Sequence, residues 1–95
     1  NLKRFTHWVL AGSVVTLRNG VEECVEGAEV TLSAGNRVTT RAVTDAFGEF
    51  RLNGLPTQPQ AIQIEIHATG YAIHRQDVPL LGSLTLPPAN LRQTD

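Results

Sequence analysis

The chain has 95 residues, of which 41% are hydrophobic and 18% are charged, and its net charge is −1. This length suits one domain, residues 1–95, with a core of its own, and the apolar content argues against disorder. The one lysine and the seven arginines are scattered, so the sequence lacks the basic patch that nucleic acid or an anionic membrane surface requires. We therefore expect one folded domain that binds no nucleic acid.

The longest apolar stretch, residues 9–17, is far shorter than the roughly 20 residues that a membrane helix needs, so we expect no membrane insertion. The single cysteine, Cys24, has no partner for an internal disulfide. The cysteine content therefore does not identify the cellular compartment, and an extracytoplasmic location is slightly favoured. Because the chain begins with Asn1 rather than Met, we expect it to be a segment of a larger protein.

Apolar and polar residues alternate along most of the chain, which is typical of strands with one buried face. Residues 8–17 are apolar on both faces, as in a strand at the centre of a sheet. Asn19-Gly20 then predicts a hairpin turn, and residues 21–27 are interpreted as a polar connection. Residues 37–44 are expected to lie at a sheet edge. The pattern predicts seven strands: 8–17, 28–33, 37–44, 49–53, 62–68, 73–80 and 82–86.

Two proline-containing segments are predicted not to be strands. Residues 54–59 include two prolines, which cannot donate to a central ladder, so a loop is expected there. Pro87-Pro88 is expected to end the sheet and to leave residues 87–95 as a loose polar tail. The core should then span about residues 5–86. Several short strands separated by turn signals indicate an all-β fold, a seven-stranded Greek-key β-sandwich.

The most informative segment is residues 44–50, Thr-Asp-Ala-Phe-Gly-Glu-Phe. Asp45 can accept a hydrogen bond from the backbone two residues on, which favours a tight turn. Gly48 can supply the positive φ that a type I turn with a following bulge requires. Phe50 alternates with polar neighbours, which predicts a buried ring. Phe47 lies at the third turn position and should point outward, so it is the candidate interaction residue.

This turn belongs to an ordered series of motifs that resembles the carboxypeptidase regulatory-like domain. The series is Gly27-Ala28-x-Val30-x-Leu32, Thr44-Asp45-x-x-Gly48-x-Phe50, Gly54-Leu55-Pro56 and Ala68-x-Gly70-Tyr71. The resemblance implies a sandwich of the transthyretin and immunoglobulin type, and a non-catalytic companion to an enzyme or surface protein. The motif residues are then structural positions in turns or the core: Asp45, Gly48, Phe50, Gly54, Gly70 and Tyr71.

A narrower likeness concerns residues 1–5, 11–15, 24–28, 45–50 and 81–86. These segments look like the version of this sandwich that follows the ferredoxin-like part of iron–sulfur subunits in molybdopterin oxidoreductases. The likeness implies that iron–sulfur clusters lie elsewhere in the parent protein. Since the chain has only one cysteine, we expect no cofactor in this domain.

The sequence predicts neither catalytic residues nor a metal site. His7, His67 and His74 lack the spacing of a zinc site, which needs several converging ligands. Cys24 lies among glutamates rather than beside a base or a cation, so it is not expected to be a nucleophile. Transthyretin relatives that hydrolyse 5-hydroxyisourate end in a Tyr-Arg-Gly-Ser-like tail. Residues 90–95 depart from that tail, so this activity is not expected.

The function expected from the sequence is that of a non-catalytic accessory module. It would pack against an adjacent domain or a partner subunit and support assembly, in a parent that is an iron–sulfur electron-transfer oxidoreductase subunit. The alternative is a carbohydrate- or peptide-binding module of a cell-envelope or secreted protein, because an edge strand at residues 37–44 could accept an added strand.

Overall fold

The computed structural model describes residues 7–94, and this range is built from two β-sheets without a helix. β1, β2, β5, β8 and β9 form sheet 1, and β4, β3, β6 and β7 form sheet 2 in that order. The predicted all-β sandwich class is confirmed, although the described range holds nine strands rather than seven. The strands are β1 (His7–Arg18), β2 (Val21–Cys24), β3 (Glu29–Ala34), β4 (Arg37–Val43), β5 (Glu49–Pro56), β6 (Gln60–His67), β7 (His74–Leu80), β8 (Leu84–Thr85) and β9 (Ala89–Leu91).

Every other strand of sheet 1 pairs with β1. β5 pairs antiparallel with its first half and β2 with its second half, while β8 and β9 pair with it in parallel. The end of β2 and the start of β5 meet at Val14, which donates to the carbonyl of Gly48 (2.7 Å) and accepts from the N–H of Val25 (2.9 Å). β1 is therefore the central strand that its two apolar faces predicted.

Sheet 2 is an antiparallel sheet in which β4 and β7 are the outer strands. Glu65 of β6 lies opposite Thr31 of β3 and Arg75 of β7. Residues that lie opposite one another on neighbouring strands share a face of the sheet. The register therefore fixes which side chains point into the sandwich and which point out.

The core lies between the two sheets and follows from the alternation in each strand. Leu10 and Val14 of β1 are fully buried, as is Leu52 of β5. They pack in one cluster with the alternate apolar residues of sheet 2. Burial of such side chains contributes about 1.5–3 kcal/mol each. The sheet 2 residues of the cluster are Val30, Leu32, Ile62, Ile64, Ile66, Val78 and Leu80.

Parts of three segments predicted to lie outside strands belong to sheet 1. The predicted polar connection at residues 21–27 is wrong for Val21–Cys24, which form β2. Asn19 (φ 55°) and Gly20 (φ 79°) both have positive φ, the backbone of a tight hairpin turn. This turn folds β2 back onto β1, and backbone pairing needs no buried side chain. All four residues of β2 are therefore exposed.

The predicted loop at residues 54–59 is wrong for its first three residues. β5 continues to Pro56 because Gly54, with φ 74°, lies at an irregularity of the β1–β5 ladder. This irregularity keeps Leu55 pointing into the core, where it is fully buried. Pro56 is the last residue of the strand and pairs with His7, so its missing N–H costs little.

The predicted loose tail is also wrong, because residues 89–91 form β9 beside β1. Leu91 is 2% exposed and belongs to the core. Beyond it, Arg92 accepts from the N–H of Ala72 (2.8 Å) and Thr94 donates to Gly70 (3.0 Å). The core thus extends past its expected end at residue 86, whereas its expected start at Phe5 lies outside the described residues.

Candidate functional site

Asp45 holds the turn between β4 and β5 with its carboxylate. Its Oδ1 accepts hydrogen bonds from the N–H groups of Phe47 and Glu49, both at 2.9 Å. Gly48 donates to the backbone carbonyl of Asp45 at 2.9 Å. A carboxylate held by its own turn backbone shapes the chain and is poorly placed for acid–base chemistry.

Gly48 lies where three strands approach one another. Its φ is 72°, and a Cβ there would lie 2.6 Å from the carbonyl oxygen of Val14 and 3.1 Å from Cβ of Cys24. Positive φ and close backbone approach both favour glycine at this position. Two residues on, Phe50 is 6% exposed. Its ring covers Gly12, whose added Cβ would lie 2.6 Å from Cζ of Phe50.

Thr44 is a structural residue whose role the sequence analysis did not identify. Its hydroxyl is buried, donates to the carbonyl of Val25 (2.7 Å) and accepts from the N–H of Ala28 (2.8 Å). These bonds tie the segment between β2 and β3 to the turn before β5. The sequence did contain a hint of this role, namely a threonine directly before Asp45. A threonine hydroxyl can both donate a hydrogen bond to one backbone group and accept one from another.

The remaining motif residues lie at the irregularity of β5, in a turn or against the core. Gly54 and Gly70 have φ of 74° and 90°. Tyr71 packs partly buried against the core and bridges to Gln93. Hydrogen bonds to the carboxylate of Glu23 and to Tyr71 raise the pKa of Arg18, so Tyr71 also contacts the end of β1.

Phe47 is the most exposed aromatic residue of the described chain, with 72% of its surface accessible. Its backbone is fixed by Asp45, so the ring projects from a rigid turn. Val43, at the end of β4, is 63% exposed and lies just before the same turn. Both are therefore exposed apolar residues at or next to this turn.

The histidines are separated by the fold. His7 lies in β1 of sheet 1, whereas His67 and His74 lie in sheet 2. Nε2 of His67 hydrogen-bonds to Glu65 at 2.6 Å and Nε2 of His74 to Gln76 at 3.3 Å. Nowhere between residues 7 and 94 do three or more His, Cys, Asp or Glu residues form a group that could hold a metal ion. No helix in that range could cross a membrane.

The outer face of sheet 1 carries a trough along β1. Its floor is formed by small, half-buried residues, Ala11 and Ser13, and by Val9. Arg51 of β5 and Thr85 of β8 lie on either side of Ala11 in register, and both are exposed. Two cavities of about 750 and 580 Å³ share Ala11, Arg51 and Thr85, so the trough is continuous.

The outer face of sheet 2 is polar and carries a network of charged side chains around Glu65. Nε of Arg75 donates to Oε2 of Glu65 at 2.6 Å, and His67 occupies the other carboxylate oxygen. Hydrogen bonds from His67 and then Arg75 lower the pKa of Glu65. Thr31 lies opposite Glu65 on the other neighbouring strand, and Arg41 follows on β4. This face is typical of a sheet surface in contact with water.

Comparison with known proteins identifies the carboxypeptidase regulatory-like domain, which matches residues 9–90. Among curated proteins, the small subunit of pyrogallol hydroxytransferase from Pelobacter acidigallici is 33% identical over 73 residues. That match includes 76% of this chain and 25% of the relative. The chain therefore spans about a quarter of the curated relative's length.

Solved structures share the fold at low identity. The minor pilin GBS52 of Streptococcus agalactiae has a TM-score of 0.68 and 15% identity over 95% of this chain and 46% of its own. The 5-hydroxyisourate hydrolase of Klebsiella pneumoniae has a TM-score of 0.66 and 16% identity over 93% and 99%. At such identities the similarity establishes the architecture alone, because one fold supports many functions.

Proposed function

Because this chain belongs to the carboxypeptidase regulatory-like domain family, as its motifs predicted, we propose that it is a non-catalytic accessory module that packs against the remainder of a larger protein and supports its assembly. Domains of this family are non-catalytic modules. We further propose that the parent is an iron–sulfur electron-transfer subunit of an oxidoreductase, with its clusters outside this domain. The 33% identity to the small subunit of pyrogallol hydroxytransferase supports a parent that is a subunit of an enzyme.

The proposal is based on one observation: the motif residues make hydrogen bonds and contacts that hold the fold together. The Asp45 carboxylate and the Thr44 hydroxyl are both held by backbone groups, and Phe50 fills the core. A catalytic site needs a nucleophile, acid or base placed to reach a substrate. What the motifs leave accessible instead is a rigid apolar residue, Phe47, the kind of side chain that anchors protein interfaces.

The test compares the intact parent protein with a parent that lacks this module. We expect the yield of assembled complex, measured by size-exclusion chromatography, to fall several-fold. Iron content and turnover per assembled complex should stay unchanged. Unchanged assembly would contradict the accessory role, and a loss of turnover in the complexes that do assemble would indicate a catalytic contribution.

A second candidate function, peptide binding, is favoured by the open edge of sheet 2. β4 is an outer strand, and its residues are exposed or half-buried. It contains no proline, which is a common protection of an edge against strand addition. An extended peptide could therefore pair with β4 through main-chain hydrogen bonds. Micromolar binding of such a peptide, abolished by Arg41→Pro, would favour this candidate.

A further inference from the structure

We propose that the outer face of sheet 1 is the surface by which this module docks onto the remainder of its own polypeptide. The trough along β1 receives an apolar side chain of that polypeptide, and Arg51 binds a carboxylate beside it. This inference rests on the proposed accessory function and assigns the face and the occupant.

The first observation is the apolar character of β1 on both sides. Leu10 and Val14 point into the sandwich, and Ala11, Val15 and Leu17 point away from it. Val15 is 7% exposed, whereas Leu17 at the end of the strand is 54% exposed. A strand that is apolar on both faces is characteristic of a sheet covered on both sides. Sheet 2 covers one side of β1. On the other side the module itself buries Val15 but leaves Leu17 exposed and Ala11 half-buried, so this part of the face is open to a second layer.

The second observation is the shape of this face. Ala11 lies between the longer side chains of Arg51 and Thr85, which leaves room above it for an incoming side chain. The trough runs from His7 and Trp8 at one end to Val43 and Asp45 at the other. Phe47 lines neither cavity, but it lies in the turn at this second end, two residues after Asp45.

The third observation concerns charge. Arg51 is exposed, and its Nε makes one long hydrogen bond, 3.2 Å, to Oδ1 of Asn53. A guanidinium has five N–H donors in a planar fork that matches a carboxylate, so its terminal nitrogens suit an acidic group of the partner. Glu49 lies two residues away on the same edge of the trough. The occupant should therefore present an acid at Arg51 and a donor at Glu49.

We assign the occupant to the same polypeptide because of the length of the curated relative and the surface that a separate partner would need. Three quarters of the curated relative lies outside the span that this chain matches. A separate partner needs about 800 Å² of surface on each side for a standard interface. A tethered segment needs less, because a short linker gives it an effective concentration in the millimolar range. The trough therefore suits an intramolecular contact.

Hydroxyl-radical footprinting of the intact parent protein tests the assignment with an internal control. Phe47 is 72% exposed in the module, and Val38, on sheet 2 at the other end of β4, is 47% exposed. After correction for intrinsic reactivity, we expect Phe47 to be about tenfold more protected than Val38. Leu17 should be protected with Phe47.

A matched pair of variants tests the proposed carboxylate. Arg51→Glu reverses an exposed charge beside the trough, and Arg41→Glu reverses an exposed charge on the outer face of sheet 2. We expect Arg51→Glu to raise the labelling rate of Phe47 about tenfold and Arg41→Glu to leave it unchanged. Equal unfolding midpoints would show that both variants fold. An unchanged Phe47 rate in folded Arg51→Glu would overturn the carboxylate pairing.

The outcomes separate this inference from the proposed function. If Phe47 and Leu17 are labelled as exposed residues while sheet 2 is protected, the module docks by another face and the trough assignment is wrong, although the accessory function stands. If every exposed residue of the module is labelled freely in the parent, the module does not dock, and both proposals are overturned.

Discussion

The two outer faces of the sandwich use their polar side chains in different ways. On sheet 2, Glu65 is bound on both carboxylate oxygens, by His67 on its own strand and by Arg75 on the next. On sheet 1, the positions along β1 are small or apolar, and the charged Arg51 and Glu49 stand at the margin of the trough. Glu65 thus completes its charge pairs within the module, whereas Arg51 and Glu49 are groups that a partner can complete.

The difference follows from the place of each strand in its sheet. β1 pairs with four strands and is apolar on both faces, whereas β6 alternates between Ile64 or Ile66 inside and Glu65 outside. A strand that alternates apolar and polar residues suits a sheet with the core on one side and water on the other. A strand without alternation is expected where a further layer covers its outer face, as we propose for β1.

The largest expected effect contrasts a glycine of sheet 1 with a glycine of sheet 2. Gly48 and Gly35 both have positive φ, 72° and 63°, but an added Cβ meets the Val14 carbonyl at 2.6 Å in the first case and open space in the second. Gly35→Ala should cost about 1–2 kcal/mol, from left-handed backbone strain. Gly48→Ala adds a backbone clash, and we expect about 4 kcal/mol. Urea unfolding of the two variants measures both costs.

The difference between these variants isolates the clash, because the backbone strain is common to both. It therefore reports how tightly β1, β2 and β5 meet at Val14. Equal destabilisation would show that this junction can open to admit a methyl group, and sheet 1 would then be no more constrained than the hairpin of sheet 2.

The next effect tests whether β9 is an integral strand of sheet 1. Leu91 is 2% exposed and packs in the core, so Leu91→Ala should lower the free energy of unfolding by about 3 kcal/mol through lost burial and a cavity. Leu81, between β7 and β8, is 71% exposed, and Leu81→Ala should change it by less than about 0.5 kcal/mol. If both variants changed the free energy of unfolding equally little, β9 would not contribute to stability, as expected for the loose tail that the sequence predicted.

The sequence predicted the strands with clear alternation and missed those formed by pairing alone. β6 was expected at residues 62–68 and lies at Gln60–His67, because its isoleucines recur with period two. β2 was missed because its residues Val21–Cys24 are all exposed, so no buried face marks them. β9 was missed because a strand of three residues next to two prolines carries almost no pattern of its own.

The candidate surface could be predicted only in part. Phe47 was identified from its place in a turn that Asp45 and Gly48 specify locally. The trough required the register, since only pairing brings Arg51 and Thr85 to either side of Ala11. β8 is two residues long and parallel to β1, and parallel pairing between segments so distant in sequence leaves no local signal. The sequence pattern thus predicts which residues of a strand share a face, whereas the residues that lie beside them on neighbouring strands depend on the topology of the sheet.

The smallest expected effect concerns the polar face of sheet 2 and depends on pH. Hydrogen bonds from His67 and Arg75 lower the pKa of Glu65 below its ordinary value of 4.5. The folded state therefore binds this proton more weakly than the unfolded chain does. The resulting stabilisation is complete above about pH 4.5 and is lost as the pH falls through the lower pKa of the folded state.

Glu65→Gln should remove this part of the acid dependence, whereas Glu26→Gln, in the exposed segment before β3, should retain it. Urea midpoints measured from about pH 6 to pH 3 check the difference, and parallel curves for wild type and Glu65→Gln would mean that the charge pairs of sheet 2 contribute nothing to stability.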